Sequence, residues 1–366
     1  MNLLTIGHNF VLAENQKHLE YLAKTKQFSK LALISPEWWV ENTQRIICKK
    51  SSTVNFDHFT GKTMFTLNNS LFVFRSTVLK QILKFKPDII EVWEEPWSLS
   101  LLQIILIKKI FRLKVKISCY SAQNIDKKFP FPFNLIQEFN LKNVSGVHVC
   151  SDSVYQVFKK KYRGTTKIIG LGLDFSDYKY QERAHQDILK LGYVGRIVES
   201  KGVFDLIESV SQISNCTLTL CGSGSDETLL RKKIENLGIR DRVIFKGSLN
   251  KVDLIKEYHK MDVLVVPSKT TKSWKEQFGR IIVEAYATGL VVIGSDSGSI
   301  PEVIGDYGLV CPEGSVDELT LCIQSIMNNR EKWQKSRLEA SEWVKGLFSW
   351  ESVASQFESF YRGLSS

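Results

Sequence analysis

Long hydrophobic runs are missing from this 366-residue chain. The longest, Leu99 to Ile107, is interrupted by Gln103 and stopped by Lys108 and Lys109, far short of the roughly 20 apolar residues of a membrane span. Disulfide chemistry is equally poorly provided for. The seven cysteines are odd in number and form no Cys-x-x-Cys pair, so they read as scattered core thiols of a reducing cytoplasm, and a metal cluster is not expected. The opening MNLLTIGHNF has neither a basic segment nor a small-residue cleavage site, so no signal peptide is expected. With 43% hydrophobic and 24% charged residues, the composition excludes a disordered tail, a collagen-like fibre and a disulfide-stapled miniprotein. What remains is an ordinary globular chain of about two domains.

Charge is unevenly placed. Residues 1–180 contain 26 Lys and Arg against 14 Asp and Glu, whereas the rest is close to neutral with 23 against 25. A net charge carried by one half implies that this half meets something anionic: a membrane surface, a phosphate-bearing substrate or a nucleic acid. Zinc-finger spacing and RNP-type aromatic runs are both missing, so nucleic acid is not expected. A merely solvated basic face would give the same count.

Short β-rich runs recur in the first half: LLTIG (3–7), LALIS (31–35), DIIEVW (88–93), VKISCYS (115–121), GVHVCS (146–151) and KIIGLG (167–172). The second half repeats the pattern with ILKLGYVG (188–195), CTLTLCG (216–222), RVIFKGS (242–248), VLVVPS (263–268), VVIGSDS (291–297) and GLVCP (308–312), separated by helical segments. Strands alternating with helices imply parallel sheets covered on both faces. The fold class expected is therefore α/β, with two doubly wound domains at 1–180 and 181–347, and a terminal helix at 348–366. The polar stretch 178–187 reads as the linker, and the chain is helical after Glu313.

In open α/β sheets, ligands bind outside the carboxyl ends of the strands. Three loops there carry chemistry. In GYVGRIVESKGVF, Gly195 ends a strand and Arg196 and Lys201 follow just before a helix, a seat for a diphosphate or a pair of ordinary surface cations. In CGSGSDE, Gly222 and Gly224 permit close backbone approach, although Glu227 stands where a dinucleotide fingerprint has its third glycine. In KEQFGRIIVEAYATG, Glu276 precedes a helix opened by Phe278 and Gly279, and Glu284 lies on its second turn. Both carboxylates can accept the paired hydroxyls of a sugar; singly, Glu276 would read as a helix cap and Glu284 as a surface charge.

The order and spacing of GYVGR…KG, LTLCGSG, VIFKGSL, MDVLVVPS, EQFGRIIVE and SDSGSIPEVIG resemble the family-4 retaining glycosyltransferases of GT-B fold, and the last helix-opening segment resembles their E-x7-E motif. The likeness runs over nearly the whole chain, including SAQNIDKKFPFPF and GLGLD in the first half. It implies two Rossmann-like domains facing across a cleft, a nucleotide-sugar donor on the second, an acceptor on the first, and a last helix crossing back to the first. It also implies that Arg196 and Lys201 grip the donor diphosphate, that Glu276 meets the transferred sugar and Glu284 the ribose, and that the backbone at Gly195, Gly222, Phe278 and Gly279 adds donor contacts. Departures occur in the first half. Gly7-His8-Asn9-Phe10 replaces the double glycine of many relatives. Gln123-Asn124 replaces a histidine, which removes a proton carrier there. His8, Glu94, Gln123 and Asn124 are the acceptor-side candidates, with Glu95 beside them; Glu94 and Glu95 would otherwise cap the next helix.

Breaking a glycosyl–phosphate bond requires stabilised negative charge on the departing diphosphate. No Asp-x-Asp occurs in the chain, so the expectation is a reaction that requires no divalent metal and no cofactor. The expected acceptor is a glycan or lipid-linked saccharide of cell-surface polysaccharide synthesis, handled in the cytoplasm at the inner face of the membrane. The segment LLQIILIKKIFRLKVK (101–116) reads either as a buried crossover helix with a basic end or as an attachment to an anionic membrane surface. A GT-B epimerase, a phosphorylase, or a noncatalytic nucleotide-sugar-binding protein would share most of these features.

Overall fold

The computed structural model describes residues 1–41, 44–50, 56–66, 68–183 and 187–365. The chain forms two compact units, Met1–Gly172 with Trp350–Ser366, and Leu173–Ser349. The boundary thus falls after Gly172, not at 180. Tyr178 is buried and hydrogen-bonds Glu284, and Asp177 pairs with Lys251 at 2.7 Å, so the start of the expected linker is part of the second unit's packing. Residues 184–186 of that stretch lie outside the described residues.

The first unit is built on a seven-stranded parallel sheet. Its order is Thr165–Ile168, Gly146–Val149, Lys116–Ser121, Ile89–Val92, Asn2–Ile6, Lys30–Pro36 and Asp57–Gly61. The central strands are near-continuous apolar runs because both faces are covered by helices. The edge strand Asp57–Gly61 (DHFTG) has no such run, so the sequence pattern does not announce it. The helix Trp350–Ser365 belongs to this unit: Val353, Phe357, Phe360 and Tyr361 pack with Leu3, Leu19, Leu33 and Ile89 in one core. Each of these large side chains gains about 1.5–3 kcal/mol by leaving water, which is enough to fix the helix on the sheet. The helix Leu99–Ile110 buries Leu101, Ile104 and Ile105, so the segment 101–116 is a crossover helix with a basic, exposed end. No helix among the described residues is long and apolar enough to cross a membrane.

The second unit has six parallel strands in the order Val243–Gly247, Cys216–Cys221, Leu189–Val194, Val263–Val266, Val291–Ser295 and Leu309–Cys311. Its core fills with Leu191, Tyr193, Leu206, Leu218, Val263 and Ile293. Each sheet therefore starts at a central strand, builds to one side, and then crosses to the other. The strand order reverses between Asn2–Ile6 and Ile89–Val92 in the first unit, and between Leu189–Val194 and Val263–Val266 in the second. Those two points are where a doubly wound sheet opens a crevice at its carboxyl edge. The expected α/β class with two Rossmann-like, parallel-sheet units is the observed one.

Candidate functional site

At the switch point of the second unit, glycines bring four loops together by removing Cβ atoms. A Cβ on Gly222 would lie 1.9 Å from the Gly195 carbonyl oxygen, and one on Gly224 would lie 2.1 Å from that of Ile197. Close packing of the two loops thus accounts for the Gly-x-Gly of 222–224. Gly202 has φ +68 and leaves only 1.7 Å between a Cβ and the Pro267 carbonyl oxygen. It brings the Lys201 turn against the loop that follows the Val263–Val266 strand.

Glu276 is held by its backbone. Ser299 N–H donates to its carbonyl oxygen at 3.1 Å, and Gly298, with φ +62, would bring a Cβ within 2.0 Å of that oxygen. Its carboxylate reaches across to the first loop, where Lys201 Nζ donates to Glu276 Oε2 at 2.9 Å. Both side chains are mostly buried, and Lys201 Nζ also stands 4.0 Å above the Trp274 ring. Arg196 is exposed, and its guanidinium has no hydrogen-bond or ion-pair partner among the described residues. Its carbonyl accepts from the Tyr193 hydroxyl at 2.6 Å. Burial pushes that hydroxyl well above its usual range, the Arg196 charge lowers it and the Glu276 charge raises it, so both charged groups flank Tyr193.

Gly279, with φ +77, is the N-cap of the helix Arg280–Ala287, and no side chain caps that end. Glu276 is therefore not a helix cap. The helix Val203–Ser211, with Gly202 as N-cap, likewise has no side-chain cap. Both helices leave first-turn N–H groups to serve an anion. Phe278 is buried against Phe348 in an edge-to-face contact of 5.3 Å. Glu284 is buried rather than a surface charge. It accepts from the Tyr258 hydroxyl at 3.0 Å and lies 3.4 Å from Arg280 Nε. Burial raises its carboxyl, with Arg280, Tyr258 and Tyr178 pulling the other way. Glu276 and Glu284 thus sit before and within the same helix, each with its own partners.

At the switch point of the first unit, His8 and Glu94 meet. His8 Nδ1 lies 2.7 Å from Glu94 Oε1, and the His8 backbone N–H donates to the same oxygen at 2.8 Å. The His8 ring lies against Trp39 at 4.8 Å and Phe72 at 5.7 Å. Neither Glu94 nor Glu95 caps the following helix, because the Ser98 hydroxyl takes that place by accepting from Leu101 N–H. Glu95 accepts from Ser121 Oγ at 2.5 Å and from Ala122 N–H at 2.9 Å. Burial nevertheless pushes its carboxyl up to about 7, and the Glu94 charge adds to the rise. The Gln123 amide donates to the Ile125 carbonyl at 2.7 Å, and the buried Asn124 amide donates to Ser153 Oγ at 3.4 Å.

Sequence reasoning passes over Tyr193, Trp274, Tyr258 and Gly298 in the second unit, and over Trp39 in the first. Tyr193 and Tyr258 look like core aromatics, and both are buried. Trp274 was legible only as one aromatic between Lys272 and Lys275 in a polar loop.

Comparison with known proteins gives three findings. Residues 174–343 match the family model for group 1 glycosyl transferases. The chain is 28% identical over 178 residues to a Mycobacterium tuberculosis protein named GDP-mannose-dependent alpha-(1-6)-phosphatidylinositol monomannoside mannosyltransferase, covering 46% of each chain. It is 30% identical over 174 residues to the N-acetyl-alpha-D-glucosaminyl L-malate synthase of Bacillus anthracis, covering 46% of this chain and 44% of that one. The chain spans less than half the length of these relatives. Among solved structures, Anabaena HepE in complex with UDP aligns with a TM-score of 0.74 at 18% identity, over 99% of this chain and all of that one. That likeness is one of fold.

Proposed function

We propose that this chain, whose residues 174–343 match the group 1 glycosyl transferase model, moves a sugar, a hexose in the simplest case, from a nucleotide-sugar donor to a glycan or lipid-linked saccharide, with retention of configuration and without a divalent metal. The reaction belongs to cell-surface polysaccharide synthesis on the cytoplasmic side of the membrane. The observation that carries this reading is the Lys201–Glu276 pair beside the exposed Arg196 at the second unit's switch point. Lys201 Nζ pairs with Glu276 Oε2 at 2.9 Å. An arriving diphosphate competes for Lys201 and takes the Arg196 fork, and Glu276 turns to accept hydrogen bonds from the sugar hydroxyls. The uncapped N-terminus at Val203 contributes about 0.3–1 kcal/mol, so the two cations supply most of the grip. The relative named for GDP-mannose and the neighbour solved with UDP support a nucleoside diphosphate as the leaving group.

Chemistry follows from that placement. The bond from the anomeric carbon to the phosphate oxygen breaks, and negative charge collects on the diphosphate, where Arg196, Lys201 and the backbone N–H groups near Gly279 stabilise it. The acceptor hydroxyl attacks from the same face and gives its proton to the departing phosphate oxygen, so that no carboxylate nucleophile is needed. Glu284, buried and held by Tyr258, orients the ribose. The His8–Glu94 pair and the amides of Gln123 and Asn124 orient the acceptor on the first unit. Metal independence is supported by the missing Asp-x-Asp and by the two cations in its stead.

A thermal-shift panel of GDP- and UDP-sugars in EDTA tests the donor, because a ligand at about 100 times its Kd stabilises by about 2.7 kcal/mol. Arg196→Ala and Glu276→Ala are each expected to abolish transfer while circular dichroism is unchanged. Undiminished turnover in either variant, or activity that is lost in EDTA and restored by manganese, contradicts the reading.

A further inference from the structure

The segment 177–183, most of which reads in sequence as linker, is fastened to the second unit at both ends. Near its start, Asp177 pairs with Lys251 at 2.7 Å, and Lys251 Nζ stands 5.6 Å from the Tyr178 ring. Lys251 is the first residue of the helix Lys251–Tyr258. Arg183 reaches the other end of that helix, where its guanidinium donates to the Tyr258 carbonyl at 3.2 Å and to the carbonyl of His259, which closes the helix. The same fork donates to the Thr288 carbonyl at 3.0 Å, and Thr288 closes the helix Arg280–Ala287. Between the two ends, Gly289 makes room for the segment. With φ +84, it would bring a Cβ within 2.8 Å of the Gln181 carbonyl oxygen and 3.0 Å of the Tyr180 ring.

A helix C-terminus leaves carbonyls with no intrahelical donor. A planar guanidinium serves several of them from one side chain, whereas an ammonium is a point charge without a fixed fork. Burial, then the Arg337 charge, lower Arg183 to about 10 while Asp262 pulls the other way, so it stays charged at neutral pH. The two helices it joins are the ones that carry Tyr258 and Glu284. The Tyr258 hydroxyl donates to Glu284 Oε2 at 3.0 Å, and Tyr178, from the fastened segment itself, also hydrogen-bonds that carboxylate. The Thr288 hydroxyl donates to the Glu284 carbonyl at 3.1 Å. Arg183 therefore holds the backbone of the residue that supports the carboxylate and of the residue that closes the Glu284 turn.

We propose that Arg183 is a positioning residue for donor recognition: by tying the ends of the helices Lys251–Tyr258 and Arg280–Ala287 together, it sets the Tyr258–Glu284 contact and with it the preference of the site for a ribose bearing both hydroxyls. The proposal rests on the reading of Glu284 as the carboxylate that orients the ribose. An arginine that merely capped two helices would raise the melting temperature and leave that preference alone. The test is calorimetric titration of the full chain with UDP and with GDP, each beside its 2′,3′-dideoxy form. The wild-type protein is expected to bind the better of the two nucleotides at least about tenfold tighter than its dideoxy form, as a hydrogen bond to a charged acceptor provides. Arg183→Lys keeps the charge without the fork, and Gly289→Ala pushes on the segment at Gln181. In each, the ratio is expected to fall to about two or below through weaker binding of the ribonucleotide, with the dideoxy form within about twofold of its wild-type affinity. Gly238→Ala strains a left-handed glycine that has nothing within 4 Å, and is expected to melt lower with the ratio intact. A ratio kept in both Arg183→Lys and Gly289→Ala, or an equal loss of affinity for the ribo and dideoxy forms, would overturn the proposal alone. A wild-type protein that binds neither nucleotide, or binds one without preferring its ribo form, would refute the donor reading beneath it, so the two failures are separable.

Discussion

Replacing Gly298 by alanine isolates the clamp on Glu276. Gly298 and Gly238 have nearly the same left-handed backbone, φ +62 and +66, so an alanine at either costs about 1–2 kcal/mol of backbone strain. They differ in what the new methyl meets. At Gly238 nothing lies within 4 Å, whereas at Gly298 the Glu276 carbonyl oxygen would be 2.0 Å away. That contact must open by at least about 1 Å. The segment that yields carries Glu276, because Ser299 N–H and Gly298 both bear on its carbonyl. A displacement of about 1 Å at a positioning group costs about 100-fold in rate, or about 2.7 kcal/mol of transition-state stabilisation. The assay is kcat/KM for sugar transfer alongside the melting temperature. Gly238→Ala is expected to melt lower by about 2–8 °C with turnover kept, and Gly298→Ala to melt lower still and to lose about 100-fold in kcat/KM. Equal activity in the two variants would refute the claim that this loop sets the position of Glu276.

Two further expectations concern buried polar groups. In the first unit, Glu91 lies in the core with His18 at 3.2 Å, His148 at 4.0 Å and a hydrogen bond from Thr5 at 2.9 Å. Burial holds His148 down to about 4, and His18 and His148 draw Glu91 down to about 2 against its own burial. Both are lowered on folding, so their contributions are present at neutral pH. The His148 contribution is lost as pH falls from 6.5 towards 4, and that of Glu91 as it falls from 4.5 towards 2. The His148 step is at most about 3 kcal/mol; calorimetry from pH 7 to 4 measures it, and His148→Gln should flatten the profile in that window. In the second unit, Tyr258→Phe deprives the buried Glu284 of a hydrogen-bond donor at 3.0 Å, which costs about 1–3 kcal/mol. The melting temperature of the variant should fall by about 2–10 °C, and an unchanged melting point would mean that Tyr258 does not support Glu284.

The expected strands are those of the two sheets where runs such as LALIS and VLVVPS are apolar throughout, since a strand buried on both faces needs no alternation. Edges were harder. Asp57–Gly61 pairs with Lys30–Pro36 although DHFTG contains a single large apolar side chain. A helix start is legible where a glycine stands before the first turn, as with Gly279. In sequence Glu94 reads either as an acceptor-side residue or as a cap on the following helix; Ser98 is nearer the free N–H groups, and the carboxylate turns to His8 instead.

Local pattern by itself determined that the chain makes two doubly wound sheets and that Arg196, Lys201, Glu276 and His8 stand at loops on their carboxyl edges, because strand ends and the glycines that terminate them are written in a few neighbouring residues. Only the tertiary structure decided which of these groups meet. Lys201 and Glu276 are 75 residues apart, His8 and Glu94 are 86 apart, and Tyr258 reaches Glu284 from a different helix. Those pairings follow from the order in which strands assemble and from glycines at 202, 222 and 298 that let backbones touch. Both are properties of the packed sheet, which no short window of sequence encodes.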